Sequence, residues 1–324
     1  MIRIPSSLRL LVGACALLAA AASSAAPFSG GNVTIVVGGP PGSSFDNAAR
    51  LVAEPLSKEW GVPVVVENRP GASGMIAASQ VARAAPDGRT ILLTVTPTVQ
   101  APHLVRNPSY DPVASFAPLG QMFDARLWLA VNASVPAQTL PQFLQVARKP
   151  DARFSYASPG NGSTPHLNAL LLTQQAKVDM LHVAYKGIPP AVMDTVSGQV
   201  TAVFASYSDV APHARAGKLR ILASTGRGRS ELSPDVPSFR EQGFNSLDFV
   251  GFGGLVVPAA TPAPVVAEMA QALQQVMGRT DIKARLFALG FEPKSAGPEA
   301  FGKVIREQSA FWKKLIQDAR LTAE

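Results

Sequence analysis

The chain has 324 residues, 47% of them apolar and 16% charged, and its 29 Lys and Arg against 22 Asp and Glu give a net charge of +7. That length is enough for two lobes, each burying a core of its own. The basic residues are dispersed: Arg215, Lys218 and Arg220 form one short cluster and Arg227 and Arg229 another, with no alternating aromatics, which argues against a nucleic-acid partner.

The chain begins with the pattern of a secretory signal peptide over residues 1–25. Arg3 and Arg9 supply the positive region, and residues 10–22 are apolar but too few to span a bilayer, which takes roughly 20. Ser23 and Ala25 fit the small-x-small cleavage rule, leaving Ala26 first in the exported chain. The only cysteine, Cys15, lies in this segment. The exported part therefore has no disulfide and no thiol nucleophile. No second long apolar run follows, so a soluble periplasmic protein is expected.

The next apolar run, 34–38, reads as a buried strand, followed by a Gly-Pro-rich turn and a helix on Ala49, Val52, Ala53 and Leu56. Ser43 can cap that helix and Asp46 can close a capping box. Residues 62–66 form the next strand, 74–84 a helix and 90–94 a third strand, the rhythm of a parallel sheet with helices on its faces. After a loop-rich passage the rhythm restarts: strands at 127–131, 154–157, 181–184, 200–205 and 218–223, with helices at 140–147, from Pro165 and near 190–197. Helices over 265–277, 282–289 and 298–320 form the tail. The fold class is α/β, with parallel-rich sheets flanked by helices. Ligands of such sheets sit beyond the carboxyl ends of strands, and 43–46 and 160–164 are loops of that kind, one in each half.

Several motifs, in order, resemble one family. They are Val37-Gly-Gly-Pro-Pro-Gly-Ser-Ser-Phe-Asp-Asn-Ala-Ala-Arg50, Val66-Glu-Asn-Arg-Pro-Gly-Ala-Ser-Gly74, Ala85-Pro-Asp-Gly88 and Tyr156-Ala-Ser-Pro-Gly-Asn-Gly-Ser-Thr-Pro-His-Leu167. His182-Val-Ala-Tyr-Lys-Gly187, Ser197-Gly-Gln-Val200, Ala216-Gly-Lys-Leu-Arg220 and Ser233-Pro-Asp-Val-Pro-Ser238 continue the series. Together they resemble the substrate-binding receptors of tripartite tricarboxylate transporters, the Bordetella uptake gene family. The resemblance implies a two-lobed periplasmic binding protein fold around an interlobe cleft. It places a first domain at 26–127 and 254–324 and a second at 128–253. It also implies a high-affinity receptor that closes on a small organic carboxylate and delivers it to a membrane permease pair, without an ATPase. A monomer without cofactor or metal is expected.

In the first loop, Gly42 permits close backbone approach, while Ser43 and Ser44 place hydroxyls beside the free amides of a helix start, a site for a carboxylate without any Lys or Arg. Asp46 is expected to brace the helix start, with Arg50 beside it. Phe45 stands where the family commonly has a small or polar residue, and gives the pocket an aromatic wall. In the second loop Ser158, Gly162, Ser163 and Thr164 precede the helix of His166, and the hydroxyls and amides of Ser163 and Thr164 are expected to hold the ligand. Tyr185, Thr96, Ser206 and Tyr207 are further lining candidates because they follow strands. Ala184 replaces a usual Pro, and Thr201 and Ala205 stand where the family often has an Asp that grips an amine, so an organic acid is favoured over an amino acid.

An enzyme is not expected. The four histidines, 103, 166, 182 and 213, form no His-Glu-x-x-His run, and there is no Gly-x-Ser-x-Gly elbow. The alternatives are a secreted hydrolase of the α/β class with a triad assembled from distant residues, or a ligand sensor without transport.

Overall fold

In a computed structural model of the chain, residues 30–321 are described; the expected signal peptide and Cys15 lie outside them. Among the described residues, eleven strands form two sheets. Strand β1 (Val33–Val37) leads into α1 (Ser44–Trp60), then β2 (Val64–Asn68), α2 (Met75–Ala82) and β3 (Thr90–Val95). β1 pairs in parallel with both β2 and β3, so that Ile35 faces Val66 on one side and Ile91 on the other. The alternation along these strands sorts their side chains. Val33, Ile35, Val37, Ile91 and Leu93 join the core beneath α1, while Val36 and Leu92 join the core on the opposite face.

The passage read as loop-rich holds a short helix, α3 (Thr96–Gln100), one 3-10 turn (Ala101–Leu104) and a ten-residue strand, β4 (Phe116–Ala125). Pro118, Gly120, Gln121 and Asp124 interrupt β4's apolar run, which hides it from a periodicity reading. The chain then crosses to the second sheet: β5 (Trp128–Asn132), α4 (Leu140–Ala147), β6 (Ser155–Ser158), α5 (Thr164–Ala176) and β7 (Leu181–Ala184). α6 (Ile188–Ser197), β8 (Ala202–Ala205), α7 (Tyr207–Arg215) and β9 (Leu219–Ser224) complete it. The chain returns as β10 (Gly251–Pro258), followed by α8 (Ala263–Gly278), α9 (Thr280–Ala288), β11 (Glu292–Ala296) and α10 (Pro298–Asp318).

The sheet orders are β11-β4-β10-β3-β1-β2 and β7-β6-β8-β5-β9. Each has a parallel part, β2-β1-β3 and β7-β6-β8, extended by antiparallel strands. Among the antiparallel strands, β5 and β10 are reached without an intervening α-helix. β10, with Gly251, Gly253 and Gly254, is among them, and it begins in the first sheet three residues before position 254.

The last helix belongs to both lobes. Phe301 and Ile305 lie in the core of the first sheet, whereas Trp312, Leu315 and Ile316 lie in that of the second. Between them, the Gln308 side chain donates to Val250 O (2.9 Å), holding the returning crossing segment. Among the described residues no helix is long and apolar enough to cross a membrane.

Candidate functional site

α1 begins where β1 ends, at the edge of the first sheet. Ser43 caps it, its Oγ accepting from Asp46 N (3.2 Å). The reciprocal bond of the expected box shifts by one residue. Ser43 N already donates to Pro40 O, so the Asp46 carboxylate takes Gly42 N instead (2.8 Å). Gly42 meets no neighbour that a Cβ would strike; what it supplies is its φ of +79°. Asp46 is buried and accepts further bonds from Arg50 Nε (3.0 Å) and Asn68 Nδ2 (2.9 Å). Burial works to raise its pKa, but the bonds from Arg50, Gly42 and Asn68 prevail and hold it below the usual value. Its charge is thus spent on the loop. The amides of Ser44 and Phe45 and the exposed Ser44 hydroxyl meet no acceptor among the described residues, and they start a 17-residue helix.

The second loop is held together from within. The Ser158 hydroxyl is buried, accepts from Gly160 N (3.1 Å) and lies 2.7 Å from His182 Nε2. Gly162 N donates to His166 Nδ1 (2.9 Å). Ser163 caps α5 and donates its hydroxyl proton to Gly160 O (2.7 Å). Thr164 donates to Gln100 Oε1 (2.8 Å), and Gln100 Nε2 donates back to Gly162 O. The hydroxyls of Ser158, Ser163 and Thr164 therefore build the loop, and the amides of Asn161 and Thr164 are what it leaves for a ligand. Beneath the loop three rings stack. His166 and His182 have centroids 4.1 Å apart at 12°, with Tyr156 5.0 Å from His182. Burial and the neighbouring His182 push the His166 pKa down to about 4, and burial lowers that of His182.

Gln100, which nothing in the sequence marks, ties the first lobe to the second loop. It closes α3 on the first lobe, is buried, and bonds to the second lobe's loop. Beside it, Gly162 (φ +70°) packs so tightly on Leu104 that a Cβ there would sit 2.5 Å from Leu104 Cδ1. On the other side of the cleft, Gly290 of the first lobe packs against Ser208 at the start of α7. There too Glu292 accepts from Arg126 Nε (2.8 Å) and from Ser230 Oγ (2.6 Å).

The remaining candidates divide. Thr96 is buried against β10, its Oγ1 accepting from Phe252 N (3.0 Å). Ser206 donates to Asp209 Oδ2 (2.5 Å), and Tyr207 leans on Trp128 at 5.2 Å. Phe45 stacks on Phe291 and Phe123. The Tyr185 hydroxyl donates to Asp194 Oδ2 (2.7 Å) on α6, and burial together with that carboxylate raises its pKa to about 12. Its hydroxyl proton is committed to α6. Among the described residues no three His, Cys, Asp or Glu gather closely enough to hold a metal ion.

Residues 48–321 match the family described as the tripartite tricarboxylate transporter family receptor. A UPF0065 protein of Bordetella bronchiseptica is 33% identical over 281 residues, covering 86% of this chain and 83% of that one. Among solved structures, the periplasmic binding protein BugD is 31% identical with a TM-score of 0.78, covering 92% of this chain and 100% of its own. MatC of Rhodopseudomonas palustris, solved with bound malate, is 29% identical with a TM-score of 0.76, over 88% of this chain and 98% of its own.

Proposed function

This chain belongs to the tripartite tricarboxylate transporter receptor family, whose members are solute-binding receptors and not enzymes, and we propose that it captures a small organic carboxylate between its lobes in the periplasm for delivery to a membrane permease pair of the tripartite type. The observation that carries this reading is a pair of capped helix starts, one in each half of the chain, each with free amides. The Ser44 and Phe45 amides of the first lobe and the Asn161 and Thr164 amides of the second are all unpaired donors, and Gln100 of the first lobe bonds to the second of these loops. Amides at a helix start, with the positive end of its dipole behind them, attract an anion without a basic side chain. The malate held by MatC supports the same ligand chemistry. One carboxylate gripped from both sides interacts only with the closed lobes, so the ligand shifts the population toward closure.

The charge of the ligand tests this. In a calorimetric series, replacing the carboxylate by a primary amide of the same shape lowers affinity several-fold, on the order of 1 kcal/mol, because the amide loses the dipole term and brings donors toward donors. Equal or tighter binding of the amide would remove the helix-start account.

A further inference from the structure

Phe45 belongs to a cluster of rings that come from distant parts of the chain. Phe45, in the first turn of α1, lies 5.7 Å from Phe291 at an interplanar angle of 13° and 6.3 Å from Phe123 at 12°. Phe291 and Phe123 stack at 4.0 Å and 20°. The inner two rings are buried, whereas Phe45 is only partly so and forms the outer layer. The Phe123 ring occupies the space over Gly253 of β10 that any side chain there would need. The outer ring therefore rests on two rings that cannot easily move away.

The platform adjoins the amides of Ser44 and Phe45, and across from it stands the start of α7. A Cβ on Gly290, the neighbour of Phe291, would lie 3.1 Å from Ser208 Oγ. That helix start is unlike those of α1 and α5. Asp209 in its first turn takes the Ser206 hydroxyl (2.5 Å), so a carboxylate already occupies the favourable position, and a second anion there would be repelled. What α7 offers instead is Tyr207, partly buried against Trp128. An acid anchored at Ser44 and Phe45 thus finds rings along its body and a negative charge at the far side.

We propose that the ligand is an aromatic monocarboxylate whose ring stacks on Phe45, and that Phe45 is the specificity-determining residue of the cleft. This rests on the carboxylate-receptor reading above. Offset-stacked ring pairs contribute about 0.5–1.5 kcal/mol beyond burial, or roughly two- to tenfold in affinity. That is enough to separate a ring from an alicyclic body of similar shape.

The test is calorimetry on the wild type, Phe45→Leu and Phe45→Ser with benzoate, 4-hydroxybenzoate and phenylacetate, against cyclohexanecarboxylate and malate. Melting temperatures report whether each variant keeps its fold; Phe45→Leu keeps apolar bulk where Phe45→Ser opens the platform. The expected result is that at least one aromatic acid binds the wild type more tightly than cyclohexanecarboxylate and malate. Phe45→Leu then weakens that acid by roughly three- to tenfold while cyclohexanecarboxylate changes by less than about twofold. Tighter malate binding, or an equal loss for ring and alicyclic acids, overturns the aromatic inference and leaves the receptor standing. Failure of every acid to bind the wild type overturns both.

Discussion

Gln100 offers a residue-level test of the link between the lobes. Its carboxamide serves two partners on the second loop, and neither finds a replacement if it is truncated: Gly162 O loses a donor and the Thr164 hydroxyl loses an acceptor. Leaving a buried polar group unpaired costs about 1–3 kcal/mol. Because the bonds cross between lobes, that cost falls on the closed conformation and appears as weaker ligand binding. We expect a double-mutant cycle of Gln100→Ala with Thr164→Val, read by calorimetric affinity, to give a coupling of about 0.5–1.5 kcal/mol. Strictly additive losses would show that the two side chains act separately. Ser163→Ala belongs to a different class. It removes the cap of α5 and the tether on Gly160, so its loss of about 0.5–2 kcal/mol should appear in thermal stability as well as in affinity.

At the scale of elements, the second loop is fastened to its sheet and helix through two imidazoles that must stay neutral. His166 Nδ1 accepts the Gly162 amide, so its proton sits on Nε2, and protonating Nδ1 would set two donors against each other. His182, with its ring 4.1 Å away, is the neighbouring imidazole whose charge would oppose protonation of His166, and no carboxylate offsets either. The Tyr156 phenol beside them, raised to about 12 by burial, stays neutral. The folded pKa of His166 lies below its unfolded value, so the unfolded chain binds the proton more readily. Stability is whole above about pH 6.5 and falls as pH drops toward about 4, by on the order of 2–4 kcal/mol. Melting temperature and ligand affinity should therefore fall together over that window. In His166→Gln, whose side chain can still accept from Gly162, the slope should flatten; an unchanged slope would place the pH dependence elsewhere.

For the whole molecule, the angle between the lobes is held by few contacts. Arg126, in the outgoing crossing, pairs with Glu292 of the first sheet and donates to the carbonyls of Thr225 (2.6 Å) and Gly228 (2.8 Å) in the second lobe. Both charged side chains are largely shielded, 12% and 17% exposed, so this pair is not one of the surface bridges that contribute little. Glu292→Gln should weaken the Arg126 contact and shift the molecule toward the open form, seen as a larger radius of gyration in solution scattering and a weaker ligand, at about 1–3 kcal/mol. α10 limits how far the lobes part, because one rigid helix is packed into both cores. Trp312→Ala should cost about 3–5 kcal/mol of stability, and a two-step melt in this variant would show that the helix couples the lobes.

The sequence by itself determined the α/β alternation of both halves, the cap at Ser43 and the position of the two loops that lead into α1 and α5. These depend on periodicity, turn residues and side-chain-to-backbone bonds within a few positions. It also carried the family motifs, and with them the receptor function. It did not reveal β4 or β10, whose prolines, glycines and polar residues break the local pattern while sheet pairing with β3 and β11 supplies what the pattern lacks. Nor could it show that the hydroxyls of Ser163 and Thr164 are used by Gly160 O and Gln100 while the backbone amides stay free, or that Tyr185 turns to Asp194. The stack of Phe45, Phe123 and Phe291 was equally hidden, since three rings from distant parts of the chain meet only when both crossings and the returning strand are in place. Local chemistry is written in neighbouring residues; which of its donors and rings remain for a ligand is decided by partners that only the folded chain brings near.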